Sequence, residues 1–188
     1  MVQKRKITLI KMKQIITVLI ISFGLLLLSN SEHNEYPVPP KSEEMLFYIQ
    51  RNHNKNTIIY DANFDINGNL IENKPIDVYW IRYEENGQRM ELRSIEKLFA
   101  YGVKCSKSDT LENNYKVELV ADEKRSFWLK QEVPFKATIY TLINKKLSQL
   151  DHLYINADNS GIWPKVESIE LFGRNKATGE RTYEKINY

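Results

Sequence analysis

Asp77-Val78-Tyr79-Trp80-Ile81-Arg82-Tyr83, followed by Glu84-Glu85-Asn86-Gly87, is the stretch from which the fold class is read. Val78, Trp80 and Arg82 alternate against Tyr79, Ile81 and Tyr83, the period of two that a strand imposes on its side chains. Asn-Gly behind it is a hairpin dipeptide, because both residues tolerate positive φ. The same pattern returns at residues 136–144, where Ile139, Thr141 and Ile143 alternate against Thr138, Tyr140 and Leu142. Both faces of these strands carry bulk. An open single layer would leave one such face in water, so the pattern predicts an antiparallel β-barrel or a two-sheet β-sandwich.

Working outward, strands are predicted at 45–51, 57–64, 77–83, 103–107, 115–121, 126–132, 136–144, 152–156, 165–173 and 181–186. Asn67-Gly68, between Asp65-Ile66 and Leu70-Ile71, reads as a type I′ hairpin, and Thr178-Gly179 closes another. Asp158 to Gly161 forms a polar loop, and Pro164 fits the position just ahead of a strand. One segment breaks the period. Leu92, Ile95, Leu98 and Phe99 share a helical face while Arg93, Glu96 and Lys97 point away, and Gly102 stands where a C′ glycine belongs. A helix of two to three turns is expected there, covering one face or one open end of the sheet.

The N-terminus has a different character. Lys4, Arg5, Lys6, Lys11 and Lys13 precede an apolar run over 15–28, short for a membrane span and within the range of a signal peptide. Ser29 and Ser31 stand two apart, as a cleavage site requires, so residues 1–31 are expected to be a leader removed after Ser31. Met12 offers an alternative start, and an uncleaved membrane anchor is the competing reading. Residues 32–44, with Pro37, Pro39 and Pro40, read as a polar tether, and 45–188 as a single β-rich domain. The expected location is periplasmic or secreted. The full chain has 27 Lys and Arg against 24 Asp and Glu; without the five basic leader residues, 22 stand against 24 and the net charge moves from +3 to −2. The mature chain therefore lacks the cationic surplus that a nucleic-acid binder needs. A single cysteine, Cys105, excludes an internal disulfide framework and is expected to be buried.

Leu46-Phe47-Tyr48-Ile49-Gln50-Arg51, with Asn54, Asn56 and Tyr60 behind it, then Pro75-Ile76-Asp77-Val78-Tyr79-Trp80-Ile81, then Glu96, Ala100, Tyr101 and Gly102, form a series of ordered blocks. The series resembles an uncharacterised family of exported bacterial proteins, domain-of-unknown-function family 4833. The likeness covers most of 45–186. It implies an envelope or secreted domain and implies no reaction.

No complete catalytic motif is present, and neither a cofactor nor a metal is expected. Asp61, Asn63, Asp65, Asn67 and Glu72 mimic the spacing of a calcium loop, but its glycine is displaced to Gly68 and the hairpin already explains the segment. A thiol enzyme would need Cys105 beside His53 or His152, and no local signature supports one. Glu118, Glu167 and Glu170 lie within predicted strands and are the carboxylates available to a hydrolase. The aromatic load is the most suggestive feature, since all three Trp and eleven Tyr lie outside the leader. Gln50, Arg51, Tyr60, Trp80, Arg82 and Tyr101 are the expected binding residues. An arginine on an apolar strand face must meet an internal carboxylate or an anionic ligand. The sequence thus points to a non-catalytic envelope module that binds a small molecule, glycan or protein. An envelope hydrolase and a structural subunit are the alternatives.

Overall fold

The computed structural model describes residues 36–108, 114–161 and 164–188, with the side chains of Glu123 and Lys124 set aside. The expected leader, its cleavage point and Trp163 lie outside these residues. A compact unit runs from Val38 to Tyr188. Pro39 is buried, and the Glu44 carbonyl accepts from the Ala62 N–H at 2.8 Å, so residues 38–44 are bound into this unit.

Eleven strands form one sheet: β1 (Met45–Arg51), β2 (Asn54–Ala62), β3 (Ile76–Arg82), β4 (Gln88–Glu91), β5 (Val103–Lys107), β6 (Asn114–Leu119), β7 (Asp122–Val133), β8 (Lys136–Ile143), β9 (Lys146–Asp158), β10 (Lys165–Asn175) and β11 (Arg181–Asn187). Pairing follows the order β4-β3-β2-β1-β9-β8-β7-β6-β5, with β10 between β9 and β11. Each of these pairings is antiparallel except β1 with β9, where Tyr48 to Arg51 run parallel to His152 to Ile155. β9 is the fork. Its first residues pair with β8 and its later ones with β1, while β10 lies along its other edge. The sheet curls strongly into a half-barrel, so the fold is mostly β with one short helical segment.

The curl brings distant strands together on the inner face. Phe47 of β1 stacks on Tyr60 of β2 at 4.2 Å between ring centroids and lies 6.2 Å from Phe127 of β7, although β9 and β8 separate β1 from β7 in the sheet. Ile58, Val117, Leu129, Ile143 and Leu171 join this core, each fully excluded from water. Burial of a side chain of this size contributes about 1.5–3 kcal/mol. Gly173 sits at a register shift between β10 and β9, where a Cβ would stand 2.3 Å from the Gln149 carbonyl oxygen; only glycine allows that approach at the fork. On the outer face Tyr48, His152, Phe172 and Tyr183 stack one against the next across β1, β9, β10 and β11.

The turns differ from expectation in an instructive way. At Asn67-Gly68 the Asp65 carbonyl accepts from the Gly68 N–H at 3.0 Å, which centres the turn on Ile66-Asn67, with only Gly68 at positive φ, +80°. The two-residue turn with both φ positive stands instead at Asn144-Lys145, φ 49° and 64°, joining β8 to β9. Asn86-Gly87 adopts positive φ at both residues, but at the end of a longer loop that begins with a 3₁₀ turn over Tyr83–Glu85 and leads into β4.

The helical segment is an α turn, Ser94–Glu96, running into a π turn, Lys97–Tyr101. Its orientation corrects the sequence reading. Leu92 enters the core, whereas Ile95, Leu98 and Phe99 are exposed and Glu96 and Tyr101 turn inward. The reason is polar: the Glu96 carboxylate accepts from the Arg93 N–H at 2.8 Å and from Trp80 Nε1 at 3.3 Å, which ties that side of the segment to β3.

Candidate functional site

β1 ends at Arg51, and β3 sets Trp80 beside it. The Arg51 guanidinium carbon lies 4.8 Å from the Trp80 ring centroid and 5.2 Å from that of Tyr101. Nη1 donates to the Tyr101 hydroxyl, and Nη2 donates to Asn54 Oδ1 at 3.1 Å. The Tyr60 hydroxyl donates to the Tyr101 carbonyl at 2.9 Å, and Trp80 meets Tyr101 edge to face at 5.2 Å. Arg51, Tyr60, Trp80 and Tyr101 are therefore brought together, and Asn54 and Glu96 complete the group. Gln50 does not join it: strand alternation puts it on the other face, in register with Tyr154. Arg82 continues the Trp80 face but pairs with Glu85 and approaches Met90 Sδ at 3.9 Å. Desolvation raises the Tyr60 hydroxyl well above its ordinary range and raises Tyr101 in spite of the Arg51 charge, so both stay protonated donors. With Trp80 at 4% exposure, the cluster fastens the helical segment to the sheet and offers little surface.

The candidate reactive groups lie apart. Burial pushes the Cys105 thiol to about 11, the reverse of what a nucleophile needs. His152 is sandwiched between Tyr48 and Phe172, with centroids 4.9 and 4.3 Å away, and His53 lies in the turn after β1, its Nδ1 2.8 Å from Asn52 Oδ1. In the calcium-like segment, Asp61 accepts from the Tyr79 hydroxyl at 2.7 Å, Asp65 Oδ1 accepts from the Asn67 and Asn69 N–H groups at 2.8 Å, and Glu72 pairs with Lys107. Among the described residues no three acidic, His or Cys side chains are grouped to hold a metal. Glu118 pairs with Lys116, Glu167 accepts from Asn156 at 2.8 Å, and Glu170 accepts from the Tyr183 hydroxyl at 2.9 Å.

The outer face of β5–β9 is built differently. One register row crosses five strands as Ser106, Lys116, Trp128, Tyr140 and Gln149. Phe127 and Leu129 enter the core, so Trp128 between them points outward and is 41% exposed. Leu142 and Leu147 pair across β8 and β9, and both are exposed. A cavity of about 750 Å³ lies over this face, floored by Trp128, Tyr140, Leu142 and Leu147 and bordered by Lys107, Lys116, Lys130 and Lys176. A second, of about 650 Å³, shares Trp128 and Leu142 and continues to Arg125, Lys145 and Tyr188. Together they form a groove with Trp128 at its middle.

A family model described as a domain of unknown function, DUF4833, matches residues 47–185. The chain belongs to the DUF4833 family. No curated protein and no solved structure matches it. In this DUF4833 chain, the sequence blocks that carry the likeness supply Arg51, Asn54, Tyr60, Trp80, Glu96 and Tyr101, the members of the packed cluster. The groove residues were missed by the sequence reading. Their signal was present in the second bulky face of residues 136–144 and in Trp128 alternating with two core residues. That bulk reads equally well as the inner wall of a sandwich, and only the exposure of Trp128, Leu142 and Leu147 shows that no second layer covers them among the described residues.

Proposed function

We propose that this DUF4833 chain is an exported, non-catalytic binding module that captures a glycan along the outer face of β5–β9. The observation that carries the reading is Trp128. A large ring held half-exposed on a rigid strand, inside a groove, provides the flat apolar surface against which the C–H face of a sugar stacks. Ser106 lines the same groove and provides a hydroxyl for those of a sugar. Two cavities meeting at Trp128 and Leu142 favour a chain of sugars over a compact small molecule. The non-catalytic part of the proposal is supported by the raised Cys105 thiol and by carboxylates already engaged with neighbours. Export is supported by the leader-like residues 1–31.

The test is calorimetric titration of oligosaccharides into protein recovered from a bacterial host, whose intact mass should report a chain starting at Glu32. Trp128→Ala should weaken binding about tenfold or more, the loss of roughly 1.4 kcal/mol or more of contact energy. Undiminished binding by that variant would remove the groove from consideration, and an intact mass retaining the leader would remove cleavage.

A further inference from the structure

We propose that the glycan is acidic, an inference that rests on the groove reading above and adds the charge of its occupant. The charges on this face match such an occupant. Three of the acidic side chains near the groove are ion-paired: Glu72 lies 3.2 Å from Lys107, Glu118 lies 2.5 Å from Lys116, and Glu184 lies 3.4 Å from Arg125, whereas Asp122 meets the Tyr188 hydroxyl at 3.5 Å and Glu132 accepts from the Tyr140 hydroxyl at 3.2 Å. Lys130, Lys145 and Lys176 have no carboxylate within ion-pair distance among the described residues. Lys176 is nonetheless positioned, with Nζ 4.7 Å from the Tyr140 ring centroid, beside the Trp128 row. Lys130 is in register with Asn114 on β6 and Thr138 on β8, two residues along from Trp128 and so on the same face.

Composition does not account for this surplus. The chain from Glu32 onward has 22 basic against 24 acidic residues, whereas the two cavities are lined by six basic residues, Lys107, Lys116, Arg125, Lys130, Lys145 and Lys176, and two acidic ones, Asp122 and Glu184. Lysine suits such a task, since its ammonium is a mobile point charge on a flexible stem and follows anionic groups repeated along a polymer. The apolar floor takes the sugar rings and the lysines take the anionic substituents, whether carboxylate or sulfate.

The experiment compares four probes against the full chain: an oligogalacturonate, a sulfated oligosaccharide, a neutral xylo-oligosaccharide, and phosphatidylglycerol vesicles. Binding of either acidic sugar, but not the neutral one, is expected. The expected affinity falls about tenfold in the Lys130→Gln/Lys176→Gln double variant, and falls again when salt rises from about 0.05 M to about 0.5 M. Preference between the two acidic probes identifies the anionic group. Equal, salt-insensitive binding of neutral and acidic sugars, lost in Trp128→Ala, would overturn the charge inference and leave the groove reading standing. Acidic-sugar binding that survives Trp128→Ala would overturn the groove reading itself. Binding of vesicles alone, or of no probe, would overturn both.

Discussion

Trp80 and Trp128 occupy equivalent places in the strand pattern and opposite places in the molecule. On the β1–β4 side, Trp80 is 4% exposed, its Nε1 donates to Glu96, and a guanidinium lies over its ring. The outer face of that side is equally self-contained: Arg89 covers the Tyr79 ring at 3.6 Å, the Tyr79 hydroxyl donates to Asp61, and Asp77 holds Lys74 and Arg89 at 2.5 and 2.8 Å. On the β5–β9 side Tyr140 is covered by Lys176, but Trp128 stays open and Lys130 and Lys145 have no carboxylate within ion-pair distance among the described residues. The difference teaches that aromatic and basic composition does not identify a binding surface. What separates the two rings is their covering: the partners of Trp80 come from within the fold, whereas Trp128 is 41% exposed.

The largest expected effect tests the closed side. Trp80→Ala should lower the unfolding free energy by about 3–5 kcal/mol, the usual cost of emptying a large aromatic from a core. Trp128→Ala should change it by no more than about 0.5 kcal/mol, as for a surface position. Urea unfolding of both variants measures the contrast, and equal losses would break it. A smaller effect sharpens the same point. Tyr60→Phe removes the donor to the Tyr101 carbonyl and should cost about 1–2 kcal/mol, the penalty for leaving a desolvated acceptor without its partner. A loss below about 0.3 kcal/mol would show that the link between the helical segment and β2 is replaceable by water.

These contrasts also explain what the sequence made legible. The ten predicted strands were readable because period-two alternation is local, and Trp80, Arg51 and Tyr60 were recognisable as a group because an arginine among apolar strand positions demands partners. β4 was not readable, since all four of its residues, Gln88 to Glu91, are exposed and carry no alternation. The parallel pairing of β1 with β9 was hidden for a different reason: it joins residues about a hundred positions apart and leaves no local mark. The helix was placed correctly and faced wrongly, because an apolar stripe is only one of the forces on a segment. Here the Trp80 to Glu96 and Arg51 to Tyr101 contacts hold its polar side inward.

The smallest expected effect lies on the outer face of the closed side, at a carboxylate with one unpartnered oxygen. Asp61 accepts from Tyr79 through Oδ2, but its Oδ1 is buried without a hydrogen-bond partner. Desolvation raises its pKa above the ordinary 3.8; the nearby carboxylates of Glu44 and Asp77 add to the rise, and the Tyr79 hydrogen bond and Arg89 only partly oppose it. Its neighbour Asp77 goes the other way, because Lys74 and Arg89 outweigh the desolvation that would raise it. A carboxyl with a raised folded-state pKa stabilises the fold fully below the unfolded value, and that stabilisation is lost as pH rises through the folded value. Asp61→Asn retains the protonated shape at every pH. The variant should therefore exceed the parent at pH 7 by up to about 1 kcal/mol, allowing for solvent screening of a partly exposed group. The advantage should fade below pH 3.8, where the parent is itself protonated. Stability curves for both proteins across acid pH decide the matter: a variant weaker than its parent at neutral pH would mean that the ionised Asp61 is held by Arg89 more strongly than burial penalises it.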